Sequence, residues 1–207
     1  MEEFSVIEHK NNPDEEKKLF VIKGINYISP TYITVLSKKD VPVGQKIGVN
    51  GGSKVFLGDE QIGEVVKRQD SNSVKINVDY DIKYNGGYSR DGKTIYIARD
   101  LPKEMEIDGK KISILESVGK HHELPEKWLS DDAYEYPYAH ETATGIEKEY
   151  VESVGIKWER YDEELGKQLH IVYQKKLSKS PKDLDLAPYI YGKDQATLKE
   201  IRESMEI

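Results

Sequence analysis

The hydrophobic period changes once along this chain, and that change limits the folds open to it. Up to about residue 98 the apolar residues come in short runs rich in β-branched and aromatic side chains, and from about residue 112 they recur at three- and four-residue steps. A chain patterned this way is α+β, with its strands largely ahead of its helices. The runs Leu19-Phe20-Val21-Ile22, Tyr32-Ile33-Thr34-Val35-Leu36, Lys54-Val55-Phe56-Leu57, Ile62-Gly63-Glu64-Val65-Val66 and Val74-Lys75-Ile76-Asn77-Val78 predict five strands, separated by turn formers such as Gly44, Gly58-Asp59 and Asp70-Ser71-Asn72. Five short strands suggest a small N-terminal β-barrel or sandwich module over residues 18–77, behind a polar arm at 1–17 whose least foldable part is Asn11–Glu16. Asn50-Gly51-Gly52-Ser53 superficially resembles a phosphate loop. It precedes a strand instead of a helix and lacks the Gly-Lys-Ser/Thr spacing, so a hairpin turn is expected.

A mixed domain is expected over 78–178, with one clear strand, Thr94-Ile95-Tyr96-Ile97-Ala98, running beside any cleft. Tyr84–Tyr88, Arg90–Lys93 and Asp108-Gly109 read as turns. Three main helices are predicted over 112–129, 137–154 and 157–177, the second ending at Gly155 as a C-cap glycine. Residues 179–207 read as a loop containing Pro181 and Pro188 and then a short charged helix from Asp194.

Composition removes several functions. No apolar run reaches the roughly eighteen residues of a membrane span, and the acidic start Met1-Glu2-Glu3 lacks the apolar stretch of a secretory signal. With no cysteine there is neither a disulfide nor a thiolate metal site, so any metal must be held by imidazole and carboxylate. Lys and Arg number 31 against 38 Asp and Glu, a net charge of −7, and the basic pairs are scattered among acids, which argues against nucleic acid as a partner.

What chemistry the chain carries is concentrated between His121 and Glu147, where three of the five histidines fall among several glutamates. In His122-Glu123-Leu124-Pro125-Glu126, a helix would bring His122 and Glu126 to one face as metal ligands, with Glu123 beside them as general base for a hydrolytic water. His140, Thr144 and Glu147 share a face of the next helix, so His140 can supply a third ligand and Glu147 a fourth ligand or a partner to His140. Pro125 sits inside the motif. Either the helix starts near His122 or it kinks there, and Glu126 is the ligand most exposed to that choice. The alternative reading is solvated helix charges, with His121 and His122 at a helix start. Tyr134, Tyr136 and Tyr138 could line a cleft or pack the loop between helices, and packing is favoured.

Taken together, Thr94-Ile95-Tyr96-Ile97, Leu101-Pro102, Ile107-Asp108-Gly109-Lys110, His122-Glu123-x-x-Glu126-Lys127, Tyr138-Ala139-His140, Ala143-Thr144, Glu147 and Gly155-Ile156 resemble an uncharacterised family found in bacteriophages and prophages. Members of that family look like distant relatives of zinc-dependent, zincin-like metallopeptidases. The resemblance covers residues 78–175 and implies a zinc site on paired helices and, by analogy, peptide hydrolysis in a host cytoplasm or on a virion. A rival expectation is a non-enzymatic virion or assembly protein that contacts other phage structural proteins, with the His/Glu cluster as a structural staple.

Overall fold

The computed structural model describes residues 1–10, 17–22 and 30–205. The chain divides into two compact units, Met1–Ser73 and Val74–Ile207, and the α+β expectation holds.

The first unit is a closed antiparallel barrel. Six strands, β1 (Glu2–Lys10), β2 (Lys17–Ile22), β3 (Thr31–Ser37), β4 (Lys46–Asn50), β5 (Lys54–Leu57) and β6 (Glu60–Asp70), follow the order β1-β2-β3-β6-β5-β4, and β4 pairs back onto β1. Two of them escape the sequence reading. The expected polar arm is β1 over Glu2–Lys10, because Phe4 and Val6 alternate inward between charged neighbours that mask the period; Asn11–Glu16 lie outside the described residues. In β4 only Ile47 and Val49 face the core, with Gly48 between them. Phe4, Val6, Ile33, Val35, Ile47, Val49, Val55 and Ile62 fill the interior. Register shifts in β1, along β3–β6 and along β5–β6 supply curvature for closure. Gly63 permits the tightest approach, since a Cβ there would lie 2.0 Å from the Leu36 carbonyl oxygen. Asn50 pairs with Lys54 across Gly51-Gly52, the expected hairpin turn.

The fifth predicted strand belongs elsewhere. β7 (Lys75–Asn77) lies in the second unit, parallel to β9 (Thr94–Ile97), whose other side carries β8 (Gly86–Tyr88) antiparallel. Residues 84–88 were expected as a turn on their Gly-Gly pair, and Gly86–Tyr88 is instead an edge strand. A hairpin of β10 (Glu104–Ile107) and β11 (Lys110–Ser113) turns at Asp108-Gly109, both at positive φ. Ile112 and Ser113 are therefore strand, and helix begins at Leu115: a π-helical segment, Leu115–Glu123, runs without a break into α1 (Leu124–Asp131). Gly119 on that segment faces Ile76, Ile95 and Ile97 of the sheet, the nearest 3.3 Å from where a Cβ would stand.

Then follow α2 (Tyr136–Ser153), closed by Gly155 at positive φ as expected, α3 (Trp158–Gln174), α4 (Ala187–Tyr191) and α5 (Gln195–Met205). The segment around α4 is fixed to the sheet and is not a free loop. Asp81 accepts hydrogen bonds from the Ser178 and Lys179 amides and from the Ser178 hydroxyl, and it pairs with Arg99. Ser89 bridges Leu184, and the Asp185 amide donates to the Tyr88 carbonyl at 2.8 Å along the outer edge of β8. Among the described residues no helix is long and apolar enough to cross a membrane.

Candidate metal centre

Pro125 decides how the motif is displayed. In an α-helix its ring would clash with the carbonyl four residues back, but the wider π turn, in which the Leu124 amide bonds to the Gly119 carbonyl, relieves that crowding. Pro125 then falls in the first turn of α1, where no helical amide is owed. The helix therefore neither starts at His122 nor breaks after it, and His122 and Glu126 keep a common face.

From the next helix, α2, His140 reaches the same point. His140 Nδ1 lies 2.8 Å from Glu126 Oε2 and 3.3 Å from His122 Nε2, and His122 Nε2 lies 3.6 Å from Glu126 Oε2. These three edges suit one cation: tetrahedral bonds of about 2.0–2.1 Å place ligand atoms about 3.3 Å apart. His122, Glu126 and His140 thus form a group able to hold a metal ion.

Glu147 stands on the other side of His122. Its Oε2 is 3.0 Å from His122 Nδ1, near enough for charge attraction yet out of line for a hydrogen bond, and Nδ1 is buried without a hydrogen-bonding partner. Glu147 thus stands as a partner to the His122 imidazole, apart from the three residues whose ligand atoms converge. It is oriented in turn by the Tyr161 hydroxyl of α3, which donates to Glu147 Oε1 at 2.5 Å. On the other carboxylate, the Tyr88 hydroxyl of β8 donates to Glu126 Oε1 at 3.0 Å. Each ligand so held loses rotational freedom before any ion arrives.

Charge follows from burial. Glu123, Glu126 and Glu147 are all under a tenth exposed. Burial pushes the Glu123 carboxyl well above the usual range, with the Glu126 charge adding to the effect. Burial acts the same way on Glu126, but hydrogen bonds from His122 and His140 prevail and hold it below that range. His122 is likewise driven up despite its burial, because Glu126 and Glu147 flank it. Two carboxylic acids three residues apart are thus split, one kept ionised and one kept able to carry a proton.

Glu123 occupies a slot left by Gly86. A Cβ on Gly86 would come within 2.7 Å of Glu123 Oε1 and 2.8 Å of its Cγ, so the edge strand can lie over this carboxyl only because residue 86 has no side chain. The slot opens on a cleft of about 430 Å³ lined by Gly86, His122, Glu123, Glu126, His140, Thr144 and Glu147 together with Tyr136, Trp158, Asp185 and Tyr189. The strand beside the cleft is therefore β8, not the Thr94 strand, which is central in its sheet.

His122, Glu123, Glu126, His140 and Glu147 all line this one cleft, but Glu147 stands beside His122 and not beside His140, the partner expected for it. His121 does not join them. It is buried, stacks on Tyr150 at 4.0 Å, and its Nδ1 lies 2.7 Å from the Glu116 carbonyl oxygen. Of the three tyrosines, Tyr136 lines the cleft and stacks on His140, while Tyr134 and Tyr138 pack on each other. Tyr88, Tyr161, Gly86 and Tyr189 were not foreseen, for their roles come only from tertiary contact; the Gly86-Gly87 pair was the one signal available, and it read as a turn.

No family model, no curated protein and no solved structure matches this chain, so its chemistry rests on the residues themselves.

Proposed function

We propose that this protein is a metal-dependent hydrolase of peptidase type, with zinc as the ion. One observation carries the reading: three ligand atoms converge from His122, Glu126 and His140, while Glu123, adjacent in sequence to the first, lies buried in the same cleft outside the ligand set. Two imidazoles and one carboxylate are a donor set that zinc accepts, and three protein ligands leave a coordination position open. A zinc ion there would polarise a scissile carbonyl and acidify water in its coordination sphere.

The side chains supply the rest. Glu123, in its ionised form, takes a proton from the attacking water and, as the acid so formed, returns it to the leaving nitrogen. Glu147 holds the His122 ring, and Tyr88 holds Glu126. The role of Glu147 also weighs against a purely structural staple, which calls for four protein ligands.

The test is metal content of purified wild type and His140→Ala, followed by cleavage of a mixed peptide library with Glu123→Gln alongside. Near-stoichiometric zinc that is lost in His140→Ala, and peptide cleavage lost in Glu123→Gln with zinc retained, are expected. Failure of the wild type to take up zinc would remove the hydrolase reading.

A further inference from the structure

The wall of the cleft carries a consistent chemical bias. Five carboxylates line it, Glu123, Glu126, Glu147, Asp162 and Asp185, and none of the lining residues is Lys or Arg. Glu126 and Glu147 are answered by the two imidazoles, and Asp185 by Lys127 at 3.2 Å. Glu123 and the exposed Asp162 are left. Two further polar groups are unspent: the Asn85 Oδ1 acceptor and the Tyr189 hydroxyl, donor and acceptor alike, are buried atoms without a hydrogen-bonding partner, and Tyr189 is only 1% exposed. A buried polar atom left unpaired is a cost that a ligand relieves when it supplies the missing group.

The same wall offers π-faces. Tyr84 stacks on Tyr189 with ring centroids 5.0 Å apart and planes within 9°, which sets Tyr84, Asn85 and Tyr189 on one side of the cleft. Tyrosine rings in this unit already take cations, as Lys127 Nζ lies 5.4 Å from the Tyr88 ring centroid. A wall in which acceptors predominate, beside aromatic faces, suits a ligand group that is cationic and rich in donors. A guanidinium has five N–H donors in a plane that stacks on aromatic rings, and no acceptor. An anionic group such as a phosphate or a chain-terminal carboxylate meets no lysine or arginine on this wall, and the imidazoles are already engaged by Glu126 and Glu147.

We propose that the cleft binds its polypeptide substrate through a basic side chain, arginine ahead of lysine, held against the wall formed by Tyr84, Asn85 and Tyr189. The inference rests on the cleft being the hydrolase's substrate site, but binding can be measured without turnover. Zinc-loaded wild type is titrated with N-acetyl-arginine amide, its neutral isostere N-acetyl-citrulline amide, and N-acetyl-glutamate amide, following the fluorescence of Trp158 on the cleft wall. The arginine probe should bind at least tenfold tighter than the citrulline probe, with the glutamate probe weakest. Tyr189→Phe should shrink the arginine preference at least threefold while leaving thermal stability unchanged or raised, because it removes an unpaired buried hydroxyl. Equal affinity for the arginine and citrulline probes, tighter binding of the glutamate probe, or no binding of any of the three overturns the proposal. Arginine preference without cleavage of any arginine-containing peptide removes the hydrolase and leaves this inference standing; cleavage indifferent to arginine does the reverse.

Discussion

The barrel unit and the helical unit bury different things. Among the described residues the barrel's buried polar side chains are hydroxyls alone, Thr31, Thr34, Ser37 and Ser71, around a core of aliphatic residues and Phe4. The second unit buries Asp81, Lys83, His121, Glu123, Glu126, Lys127 and Glu147. Removing apolar surface from water stabilises wherever it happens, whereas removing charge from water does so only when the charge is paired. Asp81, Lys83, Lys127, Glu126 and Glu147 each have such partners. Glu123 gains only repulsion from Glu126 and Glu147 and attraction from His122 across a buried site. One unit buries little that costs stability, and the other gives some up to keep a carboxyl buried beside like charges.

The sharpest break in that contrast comes from Glu123→Gln. Peptide cleavage should fall by about three orders of magnitude with zinc content unchanged, and loss of zinc along with activity would make Glu123 a ligand instead. Next in size, Ile33→Ala in the barrel core should cost about 2–4 kcal/mol in urea unfolding, and a change under 1 kcal/mol would mean the barrel interior is not tightly packed. Tyr161→Phe should weaken zinc affinity about tenfold by freeing Glu147; competition against a chelator measures it, and unchanged affinity would reduce Tyr161 to a packing residue. A smaller effect with opposite sign to the barrel mutation is expected from Glu123→Gln in metal-free protein at neutral pH, a gain of about 1 kcal/mol because a buried carboxyl no longer has to take up a proton on folding.

The pH dependence is gentler still. The fold holds a proton on Glu123 that the unfolded chain releases near pH 4.3, so stability falls as pH rises between that value and the folded one. His122, raised by its carboxylate neighbours, stabilises fully below about 6.5 and loses that contribution as pH rises through its folded value. Both act in one direction, so the melting temperature of metal-free protein should drop by a few degrees from about pH 5 to about pH 9. Zinc should reverse the trend, because protons then compete with the metal for His122 and Glu126. A metal-free protein that grows more stable over that range would contradict the charge assignment.

Period carried far in this chain and tertiary contact carried the remainder. The residues that converge at the site were legible because His122, Glu126, His140 and Glu147 sit at helical spacings, and a helix converts spacing into a shared face. The π turn that reconciles Pro125 with that face has no spacing signature of its own. β1 and β4 were hidden because two inward residues per strand, among charges or beside a glycine, give too short a wave to detect. Tyr161 and Tyr189 come from helices that contribute nothing to the motif, and only packing brings their hydroxyls to it.

Gly86 bears on how such a gene can change. Every missense replacement of a glycine codon introduces a β-carbon, and at this position any β-carbon lands on the carboxyl of Glu123. The site is therefore open to silencing through a residue outside the ligand set. Such an allele would keep His122, Glu126 and His140 intact and would look unaltered by inspection of its motif.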